Sequence, residues 1–173
     1  MPVPSPTARL RFREMTPADL DAMAGLLGDP RVMRFYPAPR TRREALAWIE
    51  WNARGYARDG HGLWLVETSG GDFVGDCGLT WQAVNGRPRL EAGYHVRPEL
   101  QGRGLATEAA AACRDHARDV LGAPELIAIT HPENTASQRV AAKIGMHRVE
   151  DDLGGALPVR IVYGMAFRPA VSG

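Results

Sequence analysis

The segment His95-Val96-Arg97-Pro98-Glu99-Leu100-Gln101-Gly102-Arg103-Gly104-Leu105-Ala106-Thr107 holds the residue types and spacing best suited to chemistry. A strand pattern ends, a short proline-containing loop follows, and a helix opens on two glycines. Glycines let successive backbone N–H groups turn towards one point, and a helix's first turn adds unsatisfied donors and partial positive charge. Such an arrangement binds a phosphate or pyrophosphate; a plain tight turn would also use Gly102 and Gly104. Two other phosphate loops are excluded by residue type. A Walker A loop needs a Gly-Lys pair, and Lys143 is the only lysine in the chain. A dinucleotide fingerprint needs a third glycine where Thr107 stands, and an acid where Thr130 and His131 stand.

Gln101, Gly104 and Ala106 fit the pattern Gln/Arg-x-x-Gly-x-Gly/Ala after a strand, which resembles the acetyl-CoA pyrophosphate loop of the GNAT superfamily of N-acetyltransferases. A second block, Asn134-Thr135-Ala136-Ser137 through Lys143-Ile144-Gly145-Met146, resembles that family's Asn-x-x-Ala/Ser…Lys-x-Gly-Phe helix. The resemblance covers Leu10 to Phe167 and looks closest to the branch containing acetyltransferases of ribosomal-protein N-termini (the RimJ/RimL type). It implies acetyl-CoA as co-substrate, no metal, and cofactor contacts from Val96, Gln101, Gly102, Arg103, Gly104, Leu105, Ala106, Thr107, Asn134 and Ser137. It also implies direct transfer to a primary amine of a small molecule or of a peptide or protein N-terminus. An amine must lose a proton before it attacks a thioester, since amines are mostly protonated at pH 7. A backbone N–H near the end of Leu90–Val96 would then hold the tetrahedral oxyanion.

Ser137 and Glu91 are the catalytic candidates. The branch carries a serine at the place of Ser137, positioned to hydrogen-bond the departing CoA sulfur; as the third residue of its helix, Ser137 could equally cap locally. Many relatives use a tyrosine four residues on, where this chain has Ala141. Glu91 lies on the strand that meets the thioester. Base positions in the family often fall one residue either side, at Leu90 and Ala92, so Glu91 faces away unless a bulge re-aims it. Arg87 or Arg89 would pair with it in a purely structural role. His95, His131 and Asp76 are rivals with no specific pattern behind them. Asn134 suits the pantetheine arm and an N-cap alike. Arg31, Arg34, Phe35, Tyr36, Arg40, Trp48 and Trp51 fall where the acceptor pocket is expected, as a carboxylate-reading cluster or as a core stripe beside a solvated basic face. The competing class is a non-catalytic acyl-CoA-binding regulatory module that kept the loop and lost its acid and base.

The elements that must position these residues read in order. Leu10 to Arg13 alternates as a half-buried strand does. Thr16-Pro17-Ala18-Asp19 and Thr41-Arg42-Arg43-Glu44 are capping boxes that open two helices, the second running to about Arg58. Leu63–Thr68, Phe73–Trp81 and Leu90–Val96 are strands joined by short connectors, one containing Asn85-Gly86, and so form an antiparallel meander. A helix from Gly104 to about Val120, a strand Leu126–Thr130, a helix capped by Asn134 and a strand Val159–Phe167 follow, with a further short strand expected around Arg148. The strand–helix–strand unit from Leu90 to Thr130 is a parallel crossover. The fold class is α+β in three layers: a mixed, mostly antiparallel sheet with one parallel β-α-β crossover and helices on both faces. A cleft opens where strand direction switches, and ligands bind there. Residues 1–8 are expected to be a disordered tail and 9–169 a single N-acetyltransferase domain.

Composition narrows the class further. At 173 residues with 45% hydrophobic and 24% charged, the chain is ordinary and globular. Its formal charge of +1 argues against stable nucleic-acid binding. No apolar run reaches the ~18 residues of a membrane span, and Met1 to Thr7 lacks a signal-peptide h-region. Cys77 and Cys113 cannot make a disulfide framework, and the five histidines show no metal-ligand spacing. A cytoplasmic monomer or homodimer is expected, without a membrane partner.

Overall fold

The computed structural model describes residues 2–155 and 158–168. The predicted domain end at residue 169 lies outside the described residues. Among them, seven strands form one sheet in the order β1-β2-β3-β4-β5-β7-β6. They are β1 (Leu10–Arg13), β2 (Leu63–Thr68), β3 (Phe73–Val84), β4 (Arg87–Val96), β5 (Glu125–Thr130), β6 (His147–Asp152) and β7 (Arg160–Ala166). Four α-helices accompany them: α1 (Leu20–Leu27), α2 (Arg42–Asp59), α3 (Leu105–Asp119) and α4 (Thr135–Lys143). The α+β, three-layer reading stands, as does the short strand near Arg148.

Both predicted boxes start helices, the second with both of its bonds and the first with the Asp19 carboxylate accepting from the Thr16 N–H while the Asp19 N–H donates to the Thr16 carbonyl. Thr41 accepts from the Glu44 N–H and the Glu44 carboxylate accepts from the Thr41 N–H, which secures the start of α2 by about 1 kcal/mol. The first box opens on a single 3-10 turn, Pro17–Asp19, before α1 proper. The β3–β4 hairpin is longer than the pattern predicts. Asn85 and Gly86 adopt φ of 47° and 76°, a two-residue turn that matches strand twist. Pairing therefore runs unbroken from Val84↔Arg87 to Gly75↔Val96. No bulge interrupts this ladder, so none re-aims Glu91.

Alternation along β3 assigns the layers. Asp76 accepts from the Trp48 indole N–H of α2, whereas its neighbour Cys77 meets Cys113 of α3 on the opposite face. Helices α1 and α2 thus cover one face, and α3 and α4 the other. The strand β2, covered on both sides, is buried from Leu63 to Val66. The parallel pair β4–β5 touches at a single register point, Glu91↔Ile127. Beyond it β4 continues to Val96 with no strand beside that edge, which opens the expected cleft next to the loop before α3.

Candidate active site

Gly102 and Gly104 both take positive φ, 75° and 77°, and Gly104 is the N-cap of α3. A Cβ at Gly102 would meet nothing within 4 Å, so backbone conformation rather than crowding selects glycine there. Among the described residues, the N–H groups from Gly102 to Thr107 donate to no partner. These are the donors an anion at a helix start uses. The one carboxylate in the first turn, Glu108, is taken up by Arg9 at 2.6 Å and by the Thr7 hydroxyl, which keeps its charge from repelling an anion. Arg9 also donates to the Arg103 carbonyl at 2.9 Å, bracing the loop from the first strand. The Gln101 side chain turns back to donate to the Val96 carbonyl, closing the end of β4. A diphosphate therefore fits the loop on its free donors, its glycine geometry and its neutralised carboxylate.

On the α3/α4 face, Asn134 caps α4 by accepting from the Ser137 N–H at 3.1 Å. This leaves the Ser137 hydroxyl out of the cap. Its Oγ instead accepts from the Tyr94 hydroxyl at 3.0 Å, joining β4 to α4. Burial pushes the Tyr94 phenol up to about 12, so it stays a proton donor at neutral pH. Ala141, in the place of the absent tyrosine, is buried in the core, and so is Met146.

On the other face stand Glu91, between the core positions Leu90 and Ala92, and the cross-strand partners His95 and Asp76. Glu91 is half-buried at the point where β4 and β5 part. Burial pushes its carboxyl up to about 7, against the pull of the Ile129 backbone N–H, the charge of Arg160 and that of His95 when protonated. It forms no ion pair with Arg87 or Arg89, which are held by Glu150 and, for Arg89, also by Glu125. His95 is fully engaged. Its Nδ1 lies 2.7 Å from Asp76 Oδ1 and its Nε2 lies 2.9 Å from the Tyr36 hydroxyl. A carboxylate can only accept, so Nδ1 carries a proton, and in the neutral imidazole Nε2 then accepts from Tyr36. Trp48 Nε1 donates to the second Asp76 oxygen at 3.1 Å, which completes a buried network.

The aromatic and basic stretch ahead of α2 divides. Arg31 is held by Asp29 and Glu99 at the surface, whereas Tyr36, Arg40 and Trp48 gather beside His95. His131 packs on the Phe35 ring at 5.0 Å and caps a local turn through the Glu133 N–H. Lys143 is exposed. Among the described residues no group of three histidine, cysteine or acidic side chains could hold a metal, and no helix is long and apolar enough to cross a membrane. Sequence reasoning missed Tyr94 and the Arg9–Glu108 brace, and treated Asp76 as an outlier. An aspartate inside an otherwise apolar strand is the signal that pointed towards the network.

The GNAT family's acetyltransferase domain matches residues 9–147. Over 143 residues the chain is 38% identical to the uncharacterized protein YkkB of Bacillus subtilis (strain 168), covering 82% of this chain and 83% of that one. The uncharacterized N-acetyltransferase YnaD of the same organism is 30% identical over 143 residues, 82% and 81% of the two chains. Among solved structures, an acetyltransferase from Agrobacterium tumefaciens str. C58 superposes with a TM-score of 0.82 at 26% identity, over 96% of each chain. The fold is shared, at 15% identity and a TM-score of 0.76, with RimL, a ribosomal L7/L12 alpha-N-protein acetyltransferase in complex with coenzyme A, over 95% of this chain and 97% of that one. The matched stretch contains the loop, the parting strands and the Asn134–Ser137 helix, and it makes this chain a member of the GNAT acetyltransferase family, acyltransferases whose general reaction is acetyl-CoA-dependent N-acetylation.

Proposed function

We propose that this protein carries acetyl from acetyl-CoA directly to a primary amine of a small molecule or of a peptide N-terminus, with Glu91 accepting the proton and Ser137 meeting the departing sulfur. One observation carries this reading: Glu91 and Ser137 lie on opposite faces of β4, at the gap beside β5. An amine arriving on the Glu91 side attacks a thioester seated in the gap, and sulfur leaves on the Ser137 side. A carboxyl near pH 7 is matched to taking a proton from an ammonium, directly or through one water. Because Tyr94 donates to Ser137 Oγ, the serine's own proton is free for the sulfur. A thiol of pKa about 8.5 leaves with only modest help.

The free N–H groups from Gly102 to Thr107 would hold the pyrophosphate. Val96 and Asn134 would flank the pantetheine arm, and the unpaired edge of β4 past Glu91 would supply the oxyanion donor. Cys77 and Cys113, in contact but unbonded at 3.5 Å, suit a reducing compartment, so we place the enzyme in the cytoplasm.

Free-CoA release with an amine panel tests the reading. Release that requires amine and acetyl-CoA together, with no acyl-enzyme in the absence of amine, is the expected result. Acetyl-CoA binding without release for any amine would sink it in favour of the regulatory module.

A further inference from the structure

Arg40 stands out among the arginines of the described residues. Its guanidinium lies over the Trp48 ring at 4.7 Å, no carboxylate of the described residues lies within ion-pair distance of it, its Nε is sealed from solvent without a hydrogen-bond partner, and its two Nη groups are neither sealed nor bonded. Arg89 also has a sealed Nε, but there Glu125 supplies the carboxylate. Arg40 is held where it is. Its backbone N–H donates to the Leu27 carbonyl at 2.8 Å, Pro39 precedes it, and the Thr41 cap of α2 follows. The sealed Nε is out of a ligand's reach, but the open Nη edge is not, and a carboxylate is the partner that a planar guanidinium matches in two parallel bonds.

The position of the group matters as much as its vacant donors. Trp48 joins Arg40 to the reaction site: its ring lies 6.0 Å from the His95 ring, edge-on, and its indole N–H holds Asp76. The Arg40 charge acts on Tyr36, whose hydroxyl is bonded to His95, and the Glu91 charge acts on that same tyrosine. One indole thus separates a fixed cation from the group bonded to Asp76, with the Glu91 carboxyl on the same side of β4.

We infer that Arg40 is a specificity residue that binds a carboxylate on the acceptor, and that the acceptor is a small amine carrying a carboxylate a few bonds from its amino group. This rests on the acetyltransferase reading above and names its substrate class. An amino-acid-like amine would lay its carboxylate on Arg40 and present its nitrogen to Glu91. A polyamine or uncharged amine would leave the guanidinium unpartnered and would be insensitive to its loss.

Size-matched amines with and without a carboxylate (alanine, β-alanine and 4-aminobutyrate against alaninamide, ethanolamine and putrescine) are compared in two assays. One is CoA release; the other is calorimetric binding to the protein saturated with CoA. Wild-type protein should favour carboxylate amines at least tenfold in both. Arg40→Gln should raise KM and Kd for those amines tenfold or more and leave values for neutral amines within twofold. Arg40→Lys, which keeps charge but loses the two-pronged geometry, should fall between. Equal use of neutral amines, or equal loss for both classes in Arg40→Gln, overturns the inference while leaving the transferase intact. Absence of CoA release from every amine overturns the transferase reading instead, and the isotherms then decide the carboxylate site: selective, Arg40-dependent binding upholds it and its absence overturns it. Circular dichroism and acetyl-CoA affinity of the variants exclude misfolding as the source of a loss.

Discussion

The Tyr94 hydroxyl donates to Ser137 Oγ at 3.0 Å, tying the strand that bounds one side of the cleft to the helix that bounds the other. Without the tyrosine that many relatives carry at the position of Ala141, this pair brings a phenol and a hydroxyl to the α4 side of the gap from a different element. Tyr94 occupies the serine's acceptor side, which under the proposed mechanism leaves the serine's proton for the sulfur.

Removing each partner should separate positioning from chemistry. Ser137→Ala should lower kcat by about tenfold, or 1.4 kcal/mol of barrier, and leave the acetyl-CoA Kd within about twofold. Tyr94→Phe should lower kcat less and cost about 1 kcal/mol of stability, the net worth of one hydrogen bond. Steady-state kinetics with a good acceptor, alongside acetyl-CoA titration, checks both. An unchanged kcat in Ser137→Ala would take the serine out of the mechanism.

The loop before α3 makes a sharper test, because fold and binding respond differently there. Gly104 has φ of 77°, and a Cβ would meet only the tip of Arg9, a flexible side chain, at 3.5 Å. Gly104→Glu should therefore fold, with roughly 1–2 kcal/mol of backbone strain and a melting temperature lower by several degrees. Its new carboxylate would stand among the N–H groups proposed to receive the pyrophosphate. Acetyl-CoA affinity should fall at least a hundredfold by calorimetry. Unchanged affinity in the folded variant would reduce the loop to a turn.

What could be read from the sequence was whatever lies close along the chain. The helix starts at Thr16 and Thr41, the Asn85-Gly86 turn, the crossover and the glycine loop are each set within a few neighbouring residues, and all are present. The hairpin outruns its apolar alternation, which Gln82, Arg87, Pro88 and Arg89 break, because the two-residue turn forces pairing to its very tip. Tyr94 with Ser137, and Asp76 with His95, Trp48 and Tyr36, meet across 19 to 59 residues of chain. Their partners follow from strand register and helix placement, which local pattern does not contain. The same register answers the parity question. Leu90 and Ala92 enter the core on the α3/α4 face, and Glu91 points to the α1/α2 face without any bulge.

The buried network should respond to loss of its one carboxylate. In Asp76→Asn, the amide oxygen can still accept from Trp48, but the amide N–H₂ then faces His95 Nδ1. The imidazole must move its proton to Nε2 and donate to Tyr36, reversing both bonds. Histidine 15N spectra should show the Nδ1-H form in wild type and the Nε2-H form in the variant. Stability should drop by about 1–3 kcal/mol. Retention of the Nδ1-H form in the variant would mean that Asp76 does not set the tautomer.

Glu91→Gln should make the protein more stable and less active at once. The Glu91 carboxyl has a folded value of about 7 against an ordinary 4.5, so between those limits the folded chain holds a proton that the unfolded chain has lost. Folding then binds protons, and wild-type stability falls as pH rises from about 4.5 to about 7. The full penalty above pH 7 is at most about 3 kcal/mol. The introduced amide has no proton to lose, so the variant's advantage should be absent at pH 4.5, grow through this window and level off near pH 8. Denaturant midpoints at a series of pH values read this directly. In kinetics, wild-type kcat/KM should rise with pH through about 7 as the carboxylate forms, and the variant should lose about a hundredfold together with that inflection. A variant that gains stability but keeps both rate and pH profile would assign proton transfer to the neighbouring titratable groups on that face, His95 and Tyr36. One that loses stability at pH 8 would show that the carboxylate is held by partners and not strained by burial.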